Sequence, residues 1–503
     1  MASASDAKLH PFSTVQLLNA EYEPPSASFM TELNFLSAAE MAEQIRARKV
    51  SPVELTKAHQ ARISKLNPLL NAFVHTDDER ALSDAQSRER EVMRGEIRGP
   101  LHGVPISIKS SLGVAGLRCE AGARLRAGYV AGSDAVLVSR LRQAGAIVLG
   151  VTNTPELLMA WETDNLLYGK TSNPWDLSRT AGGSSGGEAA AIAAGCSAGG
   201  VGSDGGGSIR VPAHFCGICG LKPTPGRVPS TGHFPVSAGP FALIGVVGPM
   251  ARTVADLQIL FEVMAGADFG DPMSAPVSIR KITNQDLKRA RIGYFEDDGR
   301  TPVTAETRAA ISQAADALRR AGFEVEPFRP SNLEEIRQLW WKLFGTAGGM
   351  ILNSVIKKEK TEISPTLKQF LEWVAAEPEH TGATLLETWI RRDELRAQFL
   401  GEMERFPVLL CPAAAIPAFR HGERSWVVER KTVKYLDAWS YTEWFNVLGN
   451  PGVVVPVAQS PEGLPIGVQI VGRPWEEELV LAVAAEVKRE CGGYGRPPEL
   501  RSS

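Results

Sequence analysis

Short apolar runs alternate with amphipathic segments along most of the chain, which is the pattern of an α/β fold. Residues 104–108 and 146–151 are apolar runs of strand length, and residues 134–144 between them have the apolar spacing of a helix. Strands that alternate with helices predict a mostly parallel sheet covered by helices on both faces. Further strands are predicted at residues 291–296, 323–327, 408–411, 453–457 and 466–471.

Several helix starts are marked by capping residues. Ser37 and Ser51 each precede a glutamate by three residues, which is the spacing of a capping box, and proline follows Ser51 at the first helical position. These signals predict a helix directly after each serine. Residues 188–195 are small and apolar on all sides, which predicts a buried helix that begins just after Ser185. The positive end of its dipole would face any chemistry beside that serine.

Two regions of the chain differ from this regular pattern. Residues 1–30 contain prolines and serines without periodicity and predict an irregular N-terminal arm. Residues 332–405 are mostly helical in pattern and rich in charge, with an aromatic cluster among them. We expect the wider region 332–445 to cover the functional site and to govern substrate choice.

At 503 residues, length alone suggests two or more domains.

Charge and composition exclude several classes of function. Lys and Arg total 54 and Asp and Glu total 57, and no polybasic block occurs, so we expect no nucleic acid or membrane partner. No apolar run reaches about 18 residues and no signal peptide is evident, which predicts a soluble, cytoplasmic protein. Cys216 and Cys219 form a C-x-x-C pair, but no second pair accompanies them, so buried thiols are expected rather than a metal site.

Two serines embedded in glycines are the candidate catalytic residues. Ser184 and Ser208 stand 24 residues apart, and Lys109 ends an apolar run 75 residues before Ser184. A serine hydroxyl becomes a good nucleophile only when a base takes its proton. A lysine often ends a strand as a solvated side chain, but a lysine within a buried strand has a lowered pKa and can act as a neutral base. Lys109 is therefore predicted to be that base.

The glycines before Ser208 decide between the two serines. The candidate oxyanion donors are the backbone N–H groups of Gly205, Gly206, Gly207 and Ser208. Consecutive N–H groups of this kind can converge on one point and stabilise a developing negative charge. Ser184 has no such glycine run on its upstream side. Ser208 is therefore predicted to be the nucleophile, and Ser184 is predicted to pass its proton to the lysine.

Two other motifs overlap these glycines and are rejected. Residues 182–186 satisfy G-x-S-x-G, the nucleophile elbow of α/β-hydrolases, but a polar loop precedes them where that fold needs a strand. Residues 200–205 satisfy G-x-G-x-x-G, but they follow a predicted helix, whereas a dinucleotide-binding loop follows a strand. We therefore expect neither an α/β-hydrolase elbow nor a dinucleotide site.

Taken together, these motifs resemble the amidase signature family. The resemblance rests on Lys109 and the two serine loops in their order and spacing, and it extends over about residues 38–486. Further matching segments are residues 220–224, 248–256 and 463–472. The resemblance implies the amidase signature fold, with residues 31–503 as a single α/β domain around a large, mixed, twisted sheet.

The resemblance also implies details of the site. Members of the family have a cis peptide bond before the first of the paired serines, which here is the bond between Gly183 and Ser184. Supporting roles are implied for Ser185, Asp204 and Arg210. We expect Asp204 and Arg210 to pair and to hold the glycine loop. No cofactor is implied.

The implied activity is hydrolysis of the C–N bond of small, non-peptide aryl or aliphatic amides through an acyl-enzyme on Ser208. A carbamate is an amide with an alkoxy group, so a urethanase stays open as an alternative, as does esterase activity. The glutaminase subunit of an amidotransferase is a further alternative, which the aromatic content of residues 332–445 disfavours. The intact lysine and serines argue against a non-catalytic binding protein. We expect a small-molecule partner and a monomer or homodimer.

Tryptophans of the covering region are candidate pocket residues. They are Trp340, Trp341, Trp439 and Trp444. These side chains could line an apolar pocket, fill the core or form a membrane-facing cap, and the charged residues around the first pair disfavour the cap. Asn450 stands where members of the family commonly have leucine, which leaves that wall of the pocket open.

Overall fold

The computed structural model describes residues 32–359, 362–378, 380–492 and 495–500. The predicted N-terminal arm, residues 1–30, lies outside these ranges. None of the described helices is long and apolar enough to cross a membrane.

Eleven strands of the described chain form one sheet. They are β1 (Phe73–Thr76), β2 (Pro105–Lys109), β3 (Ile147–Thr152), β6 (Gly199–Asp204), β7 (Cys219–Lys222), β8 (Val246–Ala251), β9 (Ile292–Tyr294), β10 (Val325–Pro327), β11 (Val408–Pro412), β14 (Gly452–Gln459) and β15 (Pro465–Gly472). Their order across the sheet is β1-β3-β2-β6-β8-β7-β14-β15-β11-β9-β10. Two separate strand pairs are β4 (Ser172–Asn173) with β5 (Asp176–Thr180), and β12 (Ser425–Val428) with β13 (Lys431–Lys434).

The strand directions refine the sequence prediction. The α/β class and the large mixed sheet are confirmed, but the expectation of a mostly parallel sheet needs correction. Four neighbouring pairs of this sheet run parallel and six run antiparallel. One reason is chain connection: the loop 460–464 between β14 and β15 is too short for the crossover that a parallel pair requires.

Helices cover both faces of the sheet. The described α-helices are Ala38–Arg46, Pro52–Leu70, Asp78–Met93, Val136–Gln143, Gly186–Ala193, Arg210–Cys216, Val254–Met264, Asn284–Arg289, Ala305–Arg320, Leu333–Trp340, Ala347–Glu359, Pro365–Ala375, Gly382–Arg405, Ser440–Val447 and Glu477–Cys491. A π-helical segment, Trp341–Thr346, joins two of them. Apolar side chains of Val254–Met264 and Glu477–Cys491 pack in the core of one face, and those of Gly186–Ala193 pack on the other.

Local sequence signals correspond closely to the observed helix starts. Both predicted capping boxes are present, because the hydroxyls of Ser37 and Ser51 accept backbone N–H groups and the glutamates three residues later accept the N–H groups of the two serines. The short helix Gly186–Ala193 is buried at every position and begins directly after Ser185, as its composition predicts. The thiols of Cys216 and Cys219 are both buried and free.

The central strand β6 has no sequence signal of its own. Its sequence is Gly-Gly-Val-Gly-Ser-Asp, and glycine is disfavoured in strands. Close packing explains the composition, because a Cβ atom on Gly200 would overlap the carboxyl of Glu188 and the carbonyl of Ser107. The glycines therefore let the helix Gly186–Ala193 approach the sheet closely at this point.

A buried ion pair holds the loop that follows β6. The Asp204 carboxylate accepts hydrogen bonds from Arg210 Nε at 3.0 Å and from Arg210 Nη2 at 2.9 Å, and both side chains are fully buried. Arg210 also donates to Gln469 Oε1 on β15 at 2.7 Å. Burial alone would raise the pKa of Asp204, but the charge and hydrogen bonds of Arg210 and the nearby Lys222 lower it well below its usual value.

Removing the arginine charge should destabilise the fold strongly. Arg210→Met leaves the Asp204 carboxylate buried without its counter-ion, so we expect a loss of about 3–5 kcal/mol in the free energy of unfolding, measured by urea denaturation. The matched control is Arg94→Met in the exposed pair of Arg94 and Glu96, which should leave the unfolding curve unchanged. Equal effects of the two variants would contradict a structural role for the buried pair.

Candidate active site

Lys109 enters the site from the end of β2. Alternate residues of a strand point to opposite faces, and here Ile106 and Ile108 pack into the core of one face. The side chains of Ser107 and Lys109 therefore point to the other face, towards the helix Gly186–Ala193. The Lys109 side chain is completely buried, so the amine has no access to water in this arrangement.

Hydroxyl groups surround the Lys109 amine. Its Nζ lies 2.7 Å from Ser184 Oγ, 2.9 Å from Ser185 Oγ and 3.0 Å from Ser203 Oγ. Burial lowers the pKa of Lys109 to about 7, although the charges of Asp204 and Glu188 act in the opposite direction. A substantial fraction of the amine is therefore neutral near pH 7 and can accept a proton from a neighbouring hydroxyl.

Glu188 is a second buried titratable group beside the lysine. Its carboxyl accepts hydrogen bonds from Ser107 Oγ at 2.5 Å and from Thr152 Oγ1 at 2.8 Å. Burial raises its pKa to about 7, while these two hydrogen bonds and the charge of Lys109 lower it. The sequence motif contains Glu188, but its interaction with the lysine becomes evident only when the helix and the sheet are packed together.

The two serine loops meet beside Lys109. The peptide bond between Gly183 and Ser184 is cis, and the Ser184 side chain is buried. The backbone N–H of Ser185 donates to the carbonyl oxygen of Ser208 at 3.1 Å, which ties one loop to the other. Ser208 is half-buried and lines the same cavity as Ser184. The structure thus brings Lys109, Ser184 and Ser208 into one site.

The glycine loop presents fewer donors than the sequence predicts. The N–H of Gly207, one of the four predicted oxyanion donors, already donates to Asp204 Oδ1 at 2.7 Å and is therefore not free to bind an oxyanion. Within the described parts of the chain, the N–H groups of Gly205, Gly206 and Ser208 form no hydrogen bond. These three groups are the candidate donors to an oxyanion.

An apolar cavity of about 540 Å³ opens beside Ser208. Its walls come from residues 157–161, residues 230–247 and the covering helices, including Trp340 and Phe344. Among the described residues that line it, Asp204 is the one Asp, Glu, Lys or Arg, and Arg210 pairs with it. Within the described residues, no group of three His, Cys, Asp or Glu side chains is placed to hold a metal ion.

Three of the four predicted pocket tryptophans do not line this cavity. Trp341 packs edge-on against Phe370, which itself lines the cavity, so Trp341 lies behind that part of the wall. Trp439 and Trp444 are fully buried in the core behind the cavity wall. Only Trp340 of the predicted four remains in the candidate pocket.

The sequence analysis missed part of the lining. Trp161 is buried beside the cavity and stacks on Trp439 with ring centroids 5.9 Å apart, and Phe241 lies in the wall formed by residues 230–247. Neither of these two wall segments has a helical or strand period that would indicate which of its side chains point inwards. Phe344 belongs to the aromatic cluster of the covering region, but that pattern does not distinguish a pocket residue from a core residue.

Comparisons with known proteins show which family the chain resembles in sequence and fold. The sequence model of the amidase family matches residues 54–481. An acylamidase from Rhodococcus erythropolis is 36% identical, over 91% of this chain and 96% of the relative. A glutamyl-tRNA(Gln) amidotransferase chain from Carboxydothermus hydrogenoformans is 33% identical, over 93% of this chain and all of the relative. The structure of a bacterial aryl acylamidase superposes with a TM-score of 0.80 at 28% identity, covering 91% of this chain and 97% of that one.

The reactivity of Ser208 should follow the protonation of Lys109. The neutral amine is the form that accepts a proton, so the rate of labelling by a fluorophosphonate probe should rise with pH through about 7. Glu188→Gln removes a negative charge that favours the protonated lysine, so the pKa of Lys109 should fall and the rise should move to lower pH. The measurement is the labelling rate from about pH 5 to 9, with Glu96→Gln at an exposed site as the control. A shift to higher pH in Glu188→Gln would contradict this assignment.

Proposed function

The chain belongs to the amidase signature family, and on this basis we propose that it is a serine amidase with Ser208 as nucleophile, Ser184 as proton bridge and Lys109 as base. The observation that carries the proposal is the buried Lys109 amine, 2.7 Å from Ser184 Oγ. Ser184 in turn lines a cavity together with Ser208 and the unpaired backbone N–H groups of the described glycine loop. This arrangement supports proton transfer away from Ser208 and stabilisation of an oxyanion.

The proposed reaction proceeds through an acyl-enzyme. Neutral Lys109 takes the proton of Ser184 as Ser184 takes that of Ser208, and Ser208 Oγ attacks the carbonyl carbon. The oxyanion is held by the N–H groups of the glycine loop. The proton returns through Ser184 to the departing nitrogen, the C–N bond breaks, and the amine leaves. Water then attacks the acyl-enzyme by the same route, which releases the acid and restores Ser208.

The cavity supports small amides with apolar or aromatic groups as substrates. Its volume of about 540 Å³ lies in the usual range for small-molecule sites. A glutamine substrate would carry an ammonium and a carboxylate into the site. The described lining offers no unpaired charged side chain to hold either group, because its Asp204 is already paired with Arg210. This contrast favours an amidase over a glutaminase, although amidotransferase chains are among the relatives of this protein.

A carbamate hydrolase, or urethanase, is the second candidate function. A carbamate differs from an amide by one alkoxy oxygen at the carbonyl and would use the same nucleophile and oxyanion donors. The apolar walls of the cavity, among them Trp161 and Phe344, favour an aryl or alkyl group on either side of that carbonyl. A side-by-side assay of anilides, aliphatic amides, carbamates, activated esters and glutamine would rank these activities by kcat/KM.

Ser208→Ala should abolish both turnover and covalent labelling. The variant lacks the attacking oxygen but retains the glycine loop, so we expect loss of anilide hydrolysis by several orders of magnitude and no fluorophosphonate adduct. Intact-mass spectrometry measures the adduct. The matched variant is Ser184→Ala, which should retain the nucleophile and label slowly. Labelling of Ser208→Ala but not of Ser184→Ala would reverse the assignment of the two serines.

Lys109→Ala should affect amides more than activated esters. An amine leaves the tetrahedral intermediate only after its nitrogen is protonated, whereas a phenolate leaves without that help. Since general acid–base catalysis contributes about 10²–10⁴-fold, the loss on p-nitroacetanilide should exceed the loss on p-nitrophenyl acetate by a factor within that range. The two values of kcat/KM at matched pH provide the measurement. Equal losses would show that Lys109 serves only to activate the nucleophile.

A further inference from the structure

Side chains from outside the glycine loop hold three successive carbonyl groups of that loop. Asn446 Nδ2 donates to the carbonyl of Asp204 at 3.1 Å. Trp340 Nε1 donates to the carbonyl of Gly205 at 2.7 Å. The carbonyl of Gly206 accepts a hydrogen bond from Trp161 Nε1 at 2.7 Å. Thr442 Oγ1 lies 3.0 Å from the same carbonyl, but its single proton is shared with the Trp439 carbonyl at 2.9 Å. Each of these peptide groups is therefore fixed from its oxygen side.

Fixing a carbonyl also fixes the N–H group of the next residue. The two groups belong to one planar peptide unit, and in a trans peptide they point in opposite directions. The peptide bonds of this loop are trans, since the cis bonds of the described chain lie elsewhere. The hydrogen bond from Trp340 to the Gly205 carbonyl therefore orients the N–H of Gly206. By the same geometry, the bond from Trp161 orients the N–H of Gly207.

These two N–H groups have different uses. The N–H of Gly206 forms no hydrogen bond among the described residues and is a candidate oxyanion donor. The N–H of Gly207 already donates to Asp204 Oδ1. The Gly205 carbonyl has Trp340 as its one hydrogen-bond donor in the described chain, whereas the Gly206 carbonyl has Trp161 and a share of the Thr442 hydroxyl proton. Of the two indole hydrogen bonds, the Trp340 bond is thus the one that acts on a free donor, as the Asn446 bond to the Asp204 carbonyl does for the N–H of Gly205.

Close packing of aromatic rings reinforces this contact. A Cβ atom on Gly206 would overlap the indole ring of Trp340, and a Cβ atom on Gly205 would lie about 2.5 Å from the ring of Phe344. The rings of Trp340 and Phe344 stack with their centroids 5.5 Å apart. Both rings also line the substrate cavity. The covering region therefore rests directly on the backbone that is to stabilise the oxyanion.

We propose that Trp340 is a positioning residue for the oxyanion site: its indole N–H holds the Gly205 carbonyl so that the N–H of Gly206 points at the reacting carbonyl oxygen. This inference rests on the proposed amidase function. It gives the region 332–445, which we expect to govern substrate choice, a second role in positioning an oxyanion donor. A substrate that packs against the Trp340 ring also touches the group that sets the geometry of catalysis.

The decisive test removes the indole N–H and keeps the ring. Trp340 is replaced by β-(3-benzothienyl)alanine, in which sulfur takes the place of the N–H, and in parallel by phenylalanine. We expect kcat to fall about tenfold or more on both p-nitroacetanilide and p-nitrophenyl acetate, with little change in KM, because an oxyanion forms with either substrate. Loss of an oxyanion donor itself costs about 10²–10³-fold in kcat, which sets the upper limit. Inhibition by phenylboronic acid, which forms a tetrahedral adduct with a serine, should weaken by a similar factor.

Two matched variants separate positioning from packing. Trp161→Phe removes the corresponding bond to the Gly206 carbonyl, which orients the N–H of Gly207. Because Asp204 Oδ1 already holds that N–H, kcat should fall less than in Trp340→Phe. Phe344→Leu changes the packing on Gly205 without removing a hydrogen bond, and it should alter KM more than kcat. The inference is overturned if kcat of the benzothienyl variant stays within about twofold of the wild-type value, or if Trp161→Phe loses as much kcat as Trp340→Phe. Absence of turnover and labelling in the wild-type chain would instead refute the proposed function.

Discussion

The buried ion pair of Asp204 and Arg210 is the interaction on which the rest of the site depends. Asp204 ends β6, and its carboxylate holds the N–H groups of Gly207 and Ile209 in addition to the arginine. Arg210 reaches β15 through Gln469, so the glycine loop is tied to two strands at once. Taking two charges out of water is unfavourable unless each is fully hydrogen-bonded, and here the loop backbone supplies part of that compensation. The same hydrogen bonds therefore fix the shape of the loop and compensate the burial of the Asp204 charge.

Lys109 is also buried, but it has no counter-ion in direct contact among the described residues. Its amine has hydroxyl groups rather than a carboxylate as direct neighbours, and the negative charges that act on it do so from a distance. A direct ion pair would keep the amine protonated and unable to act as a base. The hydroxyl shell satisfies its hydrogen bonds while leaving its pKa near 7. Of these two buried basic groups, Arg210 is fully paired and Lys109 is not, and this difference separates a structural role from a proposed chemical one.

The sequence predicts those parts of the fold that depend on local pattern. Capped helices and apolar strands are found near their expected positions, and the spacing of lysine and serines indicated one site. Strand β6 was not predicted, because glycine has a low strand propensity. Its glycines are explained instead by the close packing of the neighbouring helix Gly186–Ala193. The tryptophans were ambiguous for a related reason: Trp340 and Trp439 are both buried, and only tertiary contacts show that one borders the cavity and the other does not. The N–H of Gly207 is not free to bind an oxyanion because it donates to the Asp204 carboxylate, a contact that spacing along the chain cannot reveal.

The π-helical segment Trp341–Thr346 has an implication for how such a cavity diversifies. A π-helix contains an extra residue in its turn, and it separates Trp340 from the helix that carries the outer wall of the cavity. Because the π turn accommodates the extra residue within one turn, loss of one residue here would restore ordinary α-helical winding and leave the helix beyond it in nearly the same orientation relative to Trp340. The side chains of the turn itself, Phe344 among them, would change position, while the outer wall, the lysine and the serines stayed in place. A single-codon deletion at this turn is thus an evolutionary route to a reshaped cavity that leaves the catalytic apparatus unaltered.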